Sequence, residues 1–111
     1  MRHEIIVQVE NIDVCRYFYR EILQIGPMIL DSNSHVVFTV DENCDLVLEK
    51  NTGKYLEHAS GAVHFAFHCN DIQALEERLK KDGLPLSDRF ERLGKVYRRG
   101  SDPEGNVFYI F

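Results

Sequence analysis

The sequence predicts an α+β domain assembled from two βαβββ modules. Three observations predict it. The order strand, helix, three short strands occurs twice along the 111 residues. A shift of 60 residues lays Val7 on Phe67, Val9 on Cys69, Asn11 on Asp71, Ile12 on Ile72, Val47 on Val107 and Leu48 on Phe108. Between the two copies, Asn51 to Gly61 is polar and carries two glycines. The expected division is a first module over residues 1–52, a linker over 53–61 and a second module over 62–111. Hairpins with one helix per module point to α+β layers rather than a doubly wound sheet.

Each element has a local reason. Ile5 to Val9 is a β-branched run, as a buried strand should be. Asn11 and Asp13 can cap a helix, and Val14, Phe18, Ile22 or Tyr17, Leu23 follow at helical spacing. Gly26-Pro27 closes that helix. Met28 to Leu30, Val36 to Val40 and Leu46 to Lys50 read as strands, separated by the turns Asp31-Ser32-Asn33-Ser34 and Asp41-Glu42-Asn43. In the second copy Val63 to Cys69 is a strand, and Asn70-Asp71 caps a helix over Ile72 to Lys81 with Ile72, Leu75 and Leu79 on one face. Asp82-Gly83-Leu84-Pro85 ends it. Strands follow around Phe90, over Val96 to Arg99 and over Val107 to Phe111, the last after the turn Asp102-Pro103-Glu104-Gly105.

Bulk properties narrow the function classes. A chain of this length buries roughly two thirds of its unfolded surface and folds without staples. The net charge is −5 with no basic block beyond Arg98-Arg99 near Lys95, so no nucleic acid is expected as a partner. No stretch is long and apolar enough for a bilayer, so no membrane partner is expected. The first residues lack a signal peptide's cleavage site, and the expected location is cytoplasmic. Cys15, Cys44 and Cys69 have no C-x-x-C spacing and read as reduced thiols.

Strand alternation sorts the polar candidates onto faces. Glu4, Ile6 and Gln8 share one face of the first strand, and Val47 and Glu49 one face of the fourth. His64, Ala66 and His68 share a face of the fifth, opposite Phe65 and Phe67. Val107, Tyr109 and Phe111 share a face of the last, opposite Phe108 and Ile110. The shift of 60 pairs Glu4 with His64 and Glu49 with Tyr109. Polar groups beside small or medium apolar side chains are the makeup of a pocket. His68 could shuttle a proton or be a hydrogen-bonded histidine. Arg99, sharing strand parity with Tyr97, could meet an anion by a bidentate fork. Gln8 lies on the Glu4 face. Tyr17, Phe18 and Tyr19 read as helix packing, and His35 and His58 as solvated turn or linker residues.

Four segments carry a family likeness over nearly the whole chain: Phe18-Tyr19-Arg20-Glu21-Ile22-Leu23, Leu46-Val47-Leu48-Glu49, His64-Phe65-Ala66-Phe67 and Asp102-Pro103-Glu104-Gly105-Asn106. In this order they resemble the vicinal-oxygen-chelate superfamily of glyoxalase I, bleomycin-resistance proteins and extradiol dioxygenases. The resemblance implies paired βαβββ modules in an open, cup-shaped mixed sheet around a small-molecule site, and a homodimer. In metal-using members four strand positions bind a divalent ion such as Zn, Ni, Mn or Fe. Glu49 and His64 match two of them, Glu4 stands where His or Gln is usual, and Tyr109 stands where glutamate is usual.

Two functions are therefore open. One is a metal-free protein that binds or sequesters a small-molecule ligand, with Gln8, His68, Tyr97, Arg99 and Tyr109 as contacts. The other is a glyoxalase-like lyase or isomerase, or a related transferase or dioxygenase. In that case Glu4, Glu49 and His64 would be metal ligands and Glu4 or Glu49 the catalytic carboxylate.

Overall fold

The computed structural model describes residues 1–51 and 64–111. The chain divides into two compact units, Met1–His58 and Ala59–Phe111. The linker expected over 53–61, His58 and the start of the fifth strand at Val63 lie outside the described residues.

Unit 1 runs β1 (His3–Val9), α1 (Ile12–Tyr17), a wider helical turn over Phe18–Ile22, β2 (Met28–Asp31), β3 (His35–Asp41) and β4 (Cys44–Lys50). Unit 2 runs β5 (Phe65–Phe67), α2 (Ile72–Lys81), β6 (Phe90–Arg92), β7 (Lys95–Ser101) and β8 (Val107–Ile110). Each unit is a four-stranded sheet, ordered β1-β4-β3-β2 in one and β5-β8-β7-β6 in the other. The first and last strands of each pair in parallel and the remaining neighbours antiparallel. The α+β architecture of two βαβββ modules read from the sequence is the one observed.

The caps fall at equivalent places. The Asn11 side chain accepts from the Val14 amide at 3.1 Å, and that of Asp71 from the Ala74 amide at 3.0 Å. Each satisfies one of the amides that a helix start leaves without a partner. Asp13 does not cap; it pairs with Arg16 at 2.7 Å, and Arg16 also reaches Asp31. After Tyr17 the helix widens, and the Leu23 amide donates five residues back to the Phe18 carbonyl at 2.8 Å. That extra residue per turn keeps both Phe18 and Tyr19 fully buried, with their rings edge to face 5.2 Å apart. Val14 and Tyr17, expected on the packing stripe, are exposed instead. The stripe that packs starts at Ile12 and Cys15.

Each sheet buries one face most fully. In unit 1, Val7, Val9, Val36, Phe38, Leu46 and Leu48 form it together with the helix. In unit 2, Phe65, Phe108 and Ile110 are buried, as are Leu75 and Leu79 of α2. The Phe65 ring stacks 6.0 Å from Phe108. Gly100 is needed where it lies: a Cβ there would come within 2.5 Å of the Phe108 ring. The three cysteines are free thiols.

The turn before β8 explains the Asp102-Pro103-Glu104-Gly105-Asn106 signal. Asp102 is buried, and its carboxylate accepts from the Glu104 and Asn106 amides at 2.9 Å and from the Asn106 side chain at 2.8 Å. Gly105 takes a φ of +84°, which favours glycine. A buried carboxylate receiving three donors holds the turn that sets the start of β8.

Candidate functional site

The face of unit 2 opposite its core is built by register. Ala66 lies beside Tyr109 across β5 and β8, and Arg99 opposite Tyr109 across β7 and β8. Phe90 lies opposite Tyr97, and Arg92 opposite Lys95. Alternation then adds His64, His68 and Phe111 to the same face. The structure thus brings His64, His68, Tyr97, Arg99 and Tyr109 of the expected site onto one surface.

That surface is a lattice of rings. Tyr109 meets Phe90 at 5.9 Å and Tyr97 at 6.3 Å, both edge to face. Tyr97 stacks on Phe90 at 6.1 Å and meets Phe111 at 5.5 Å. His68 adds an edge contact to Phe111 at 5.7 Å. His64 Nδ1 lies 3.2 Å from the Tyr109 hydroxyl, a hydrogen bond whose donor depends on the imidazole tautomer. The Arg92 guanidinium lies over the Tyr109 ring at 5.6 Å and Lys95 Nζ over the Phe111 ring at 4.8 Å. Tyr97 is buried, while Phe90, Tyr109 and Phe111 remain partly open to solvent.

The matching face of unit 1 is acidic. Glu4 lies beside Asp45 and Gln8 beside Glu49 across β1 and β4. Thr39 and His35 of β3 lie opposite Asp45 and Glu49. Arg2 grips Asp45 through two nitrogens, one at 3.0 Å, and donates to the Glu42 carbonyl at 2.7 Å. That hydrogen bond holds the Asp45 carboxyl below its usual range, so this buried group is a structural anion. Cys44, next in sequence, has its thiol pushed up by burial and then by the charges of Asp41 and Asp45.

His35, read as a solvated turn residue, is exposed, its side chain 46% accessible, but it opens β3 rather than lying in the turn, with Nε2 3.5 Å from Glu49 Oε1. Gln8 Oε1 is buried with no hydrogen-bond partner among the described residues.

The structure separates Glu4 from Glu49. The shift of 60 implies Ile6 beside Glu49, as Ala66 lies beside Tyr109, but Ile6 lies beside Val47. The β1–β4 register has slipped by two residues relative to β5–β8. A slip of two keeps every side chain on its face but moves it along the strand. Glu4 therefore sits four residues from the level of Glu49, about 13 Å away, too far for one ion's shell. Among the described residues no group of three or more His, Cys, Asp or Glu is placed to hold a metal ion. Within unit 1 the set Glu4 and Glu49 does not fit a shared ion. Within unit 2 His64 is joined by a phenol, which is not among the usual His, carboxylate or thiolate ligands of such ions.

Sequence reasoning passed over Phe90 and Arg92. Leu93 and Gly94 have φ of +51° and +73°, a two-residue hairpin turn that sets Arg92 opposite Lys95, and Leu-Gly is not among the dipeptides that mark such a turn in sequence.

No family model and no curated protein sequence matches the chain. Solved structures do. An antibiotic-binding protein, TnmS3, from Streptomyces sp. CB03234 has a TM-score of 0.78 at 18% identity, covering 99% of this chain and 93% of that one. Lactoylglutathione lyase from Agrobacterium tumefaciens has 0.75 at 20% identity, covering 99% and 91%. A glyoxylase/bleomycin resistance protein/dioxygenase domain from Frankia sp. EAN1pec has 0.74 at 18%, covering 96% and 92%. The chain has the glyoxalase/bleomycin-resistance/dioxygenase fold, the fold of the superfamily its sequence resembles. Among the described residues no helix is long and apolar enough to cross a membrane.

Proposed function

We propose that this protein binds a small organic molecule on the ring-lined face of unit 2, without a divalent ion, as a binding or sequestering protein. The observation that carries the reading is the environment of Tyr109. Its ring is joined edge to face to Phe90 and Tyr97, and its hydroxyl to His64. Rings partly open to solvent offer flat apolar area with little side-chain entropy to lose, plus a hydroxyl that fixes orientation. The similarity in fold to an antibiotic-binding protein is consistent with such a role.

The lyase or isomerase alternative calls for at least three ligands around one ion. Neither unit by itself groups them among the described residues.

Equilibrium dialysis against naphthylmethanol, a neutral flat probe, tests the proposal. Saturable binding is expected, unaffected by EDTA. Tyr109→Ala should weaken it about three- to tenfold, in line with the loss of one ring contact. Binding that EDTA abolishes, or that Tyr109→Ala leaves unchanged, would contradict it.

A further inference from the structure

We infer that the ligand of this face is a planar aromatic anion, its ring laid against Tyr109 and Phe111 and its charge met by Arg92, Lys95 and Arg99. The inference rests on the binding role proposed above and adds the ligand's chemical class. The protein as a whole carries a net charge of −5. Its other arginines mostly spend their charge on carboxylates: Arg2 on Asp45, Arg16 on Asp13 and Asp31, Arg20 on Glu21, Arg98 on Glu76. The three cations of the ring-lined face have no carboxylate partner among the described residues. Arg92 and Lys95 rest on ring faces, and Arg99 is exposed directly opposite Tyr109.

Among the described residues the strands contribute no Asp or Glu to this face. Glu91, between Phe90 and Arg92, pairs with Val96 and so points to the other side. The result is a local concentration of positive charge over aromatic rings in an acidic protein. A cation held only by an exposed ring gains more from a charge-assisted hydrogen bond to a carboxylate or phenolate, so an incoming anion can recruit it without breaking an ion pair. Arg99 adds a planar fork suited to two carboxylate oxygens. The corresponding face of unit 1, with Glu4, Asp45 and Glu49, offers the opposite sign.

The test compares three probes of one shape by equilibrium dialysis at low salt: naphthoate, naphthylmethanol and naphthylmethylamine. Naphthoate should bind about tenfold tighter than the alcohol, and the amine weakest, as one charge-assisted contact implies. Arg99→Gln and Arg92→Gln, both exposed and without ion pairs among the described residues, should each weaken naphthoate several-fold more than they weaken the alcohol. Equal affinity for all three probes would overturn the anion inference while the ring-face reading stands. Tighter binding of the amine would overturn it likewise. Binding of none of the three would overturn both.

Discussion

The Tyr109 hydroxyl lies 3.2 Å from His64 Nδ1, joining the last strand of unit 2 to the residue just before its first. The same tyrosine stands directly opposite Arg99 and beside Ala66. A ring, a hydroxyl, an imidazole and a guanidinium thus converge on one strand position.

Removing only the hydroxyl separates the parts of that arrangement. Tyr109→Phe loses the bond to His64 but keeps the ring contacts. Its expected cost in stability is about 0.5–1.5 kcal/mol, with probe binding retained. Tyr109→Ala loses the ring as well, and its larger cost should stay below the ~3–5 kcal/mol of a fully buried aromatic, because Tyr109 is partly open. Urea denaturation of both variants measures this. Equal destabilisation by the two would contradict the division.

Leu93 stores strain in the hairpin that presents Arg92. It is 84% exposed and held at φ +51°, where a side chain other than glycine or asparagine is costly. Leu93→Asn should therefore raise stability by about 1 kcal/mol, seen as a higher thermal midpoint. A fall in the midpoint would show that Leu93 makes a contact worth more than the strain.

Stability should fall in acid through two ion pairs. The hydrogen bond from Arg2 holds Asp45 below the usual carboxylate range, and that from Arg98 does the same for Glu76. A carboxyl depressed in the folded state stabilises fully above its unfolded pKa of about 4. That contribution is lost as pH falls through the folded value. Chemical denaturation from neutral pH down to about pH 3 should show the decline beginning near ~4. Arg98→Gln should flatten it, and an unchanged slope would assign the acid sensitivity to other groups.

The sequence makes some of this legible and hides the rest. Alternation on β5 and β8 assigns His64, Ala66, His68 and Tyr109 to one face, because parity is a property of each strand alone. The helix caps are legible too, since Asn11 and Asp71 act on amides three residues away. Register is not legible from parity. The slip of two residues between β1 and β4 leaves Glu4 on its expected face yet far from Glu49. His35 reads as a turn residue by composition, and only the β3–β4 pairing places it opposite Glu49. Phe90 and Arg92 sit on a three-residue strand too short to show a period. The helical stripe misled at Val14 and Tyr17, because a widened turn cannot be read from a 3.6-residue repeat.

The most direct test of the central claim is a titration of the labelled protein with naphthylmethanol, followed by amide NMR. The account predicts saturating shifts concentrated at His64, Ala66, Tyr97, Arg99, Tyr109 and Phe111. Shifts concentrated instead at Gln8, His35 and Glu49 of unit 1, or spread without saturation, would contradict it.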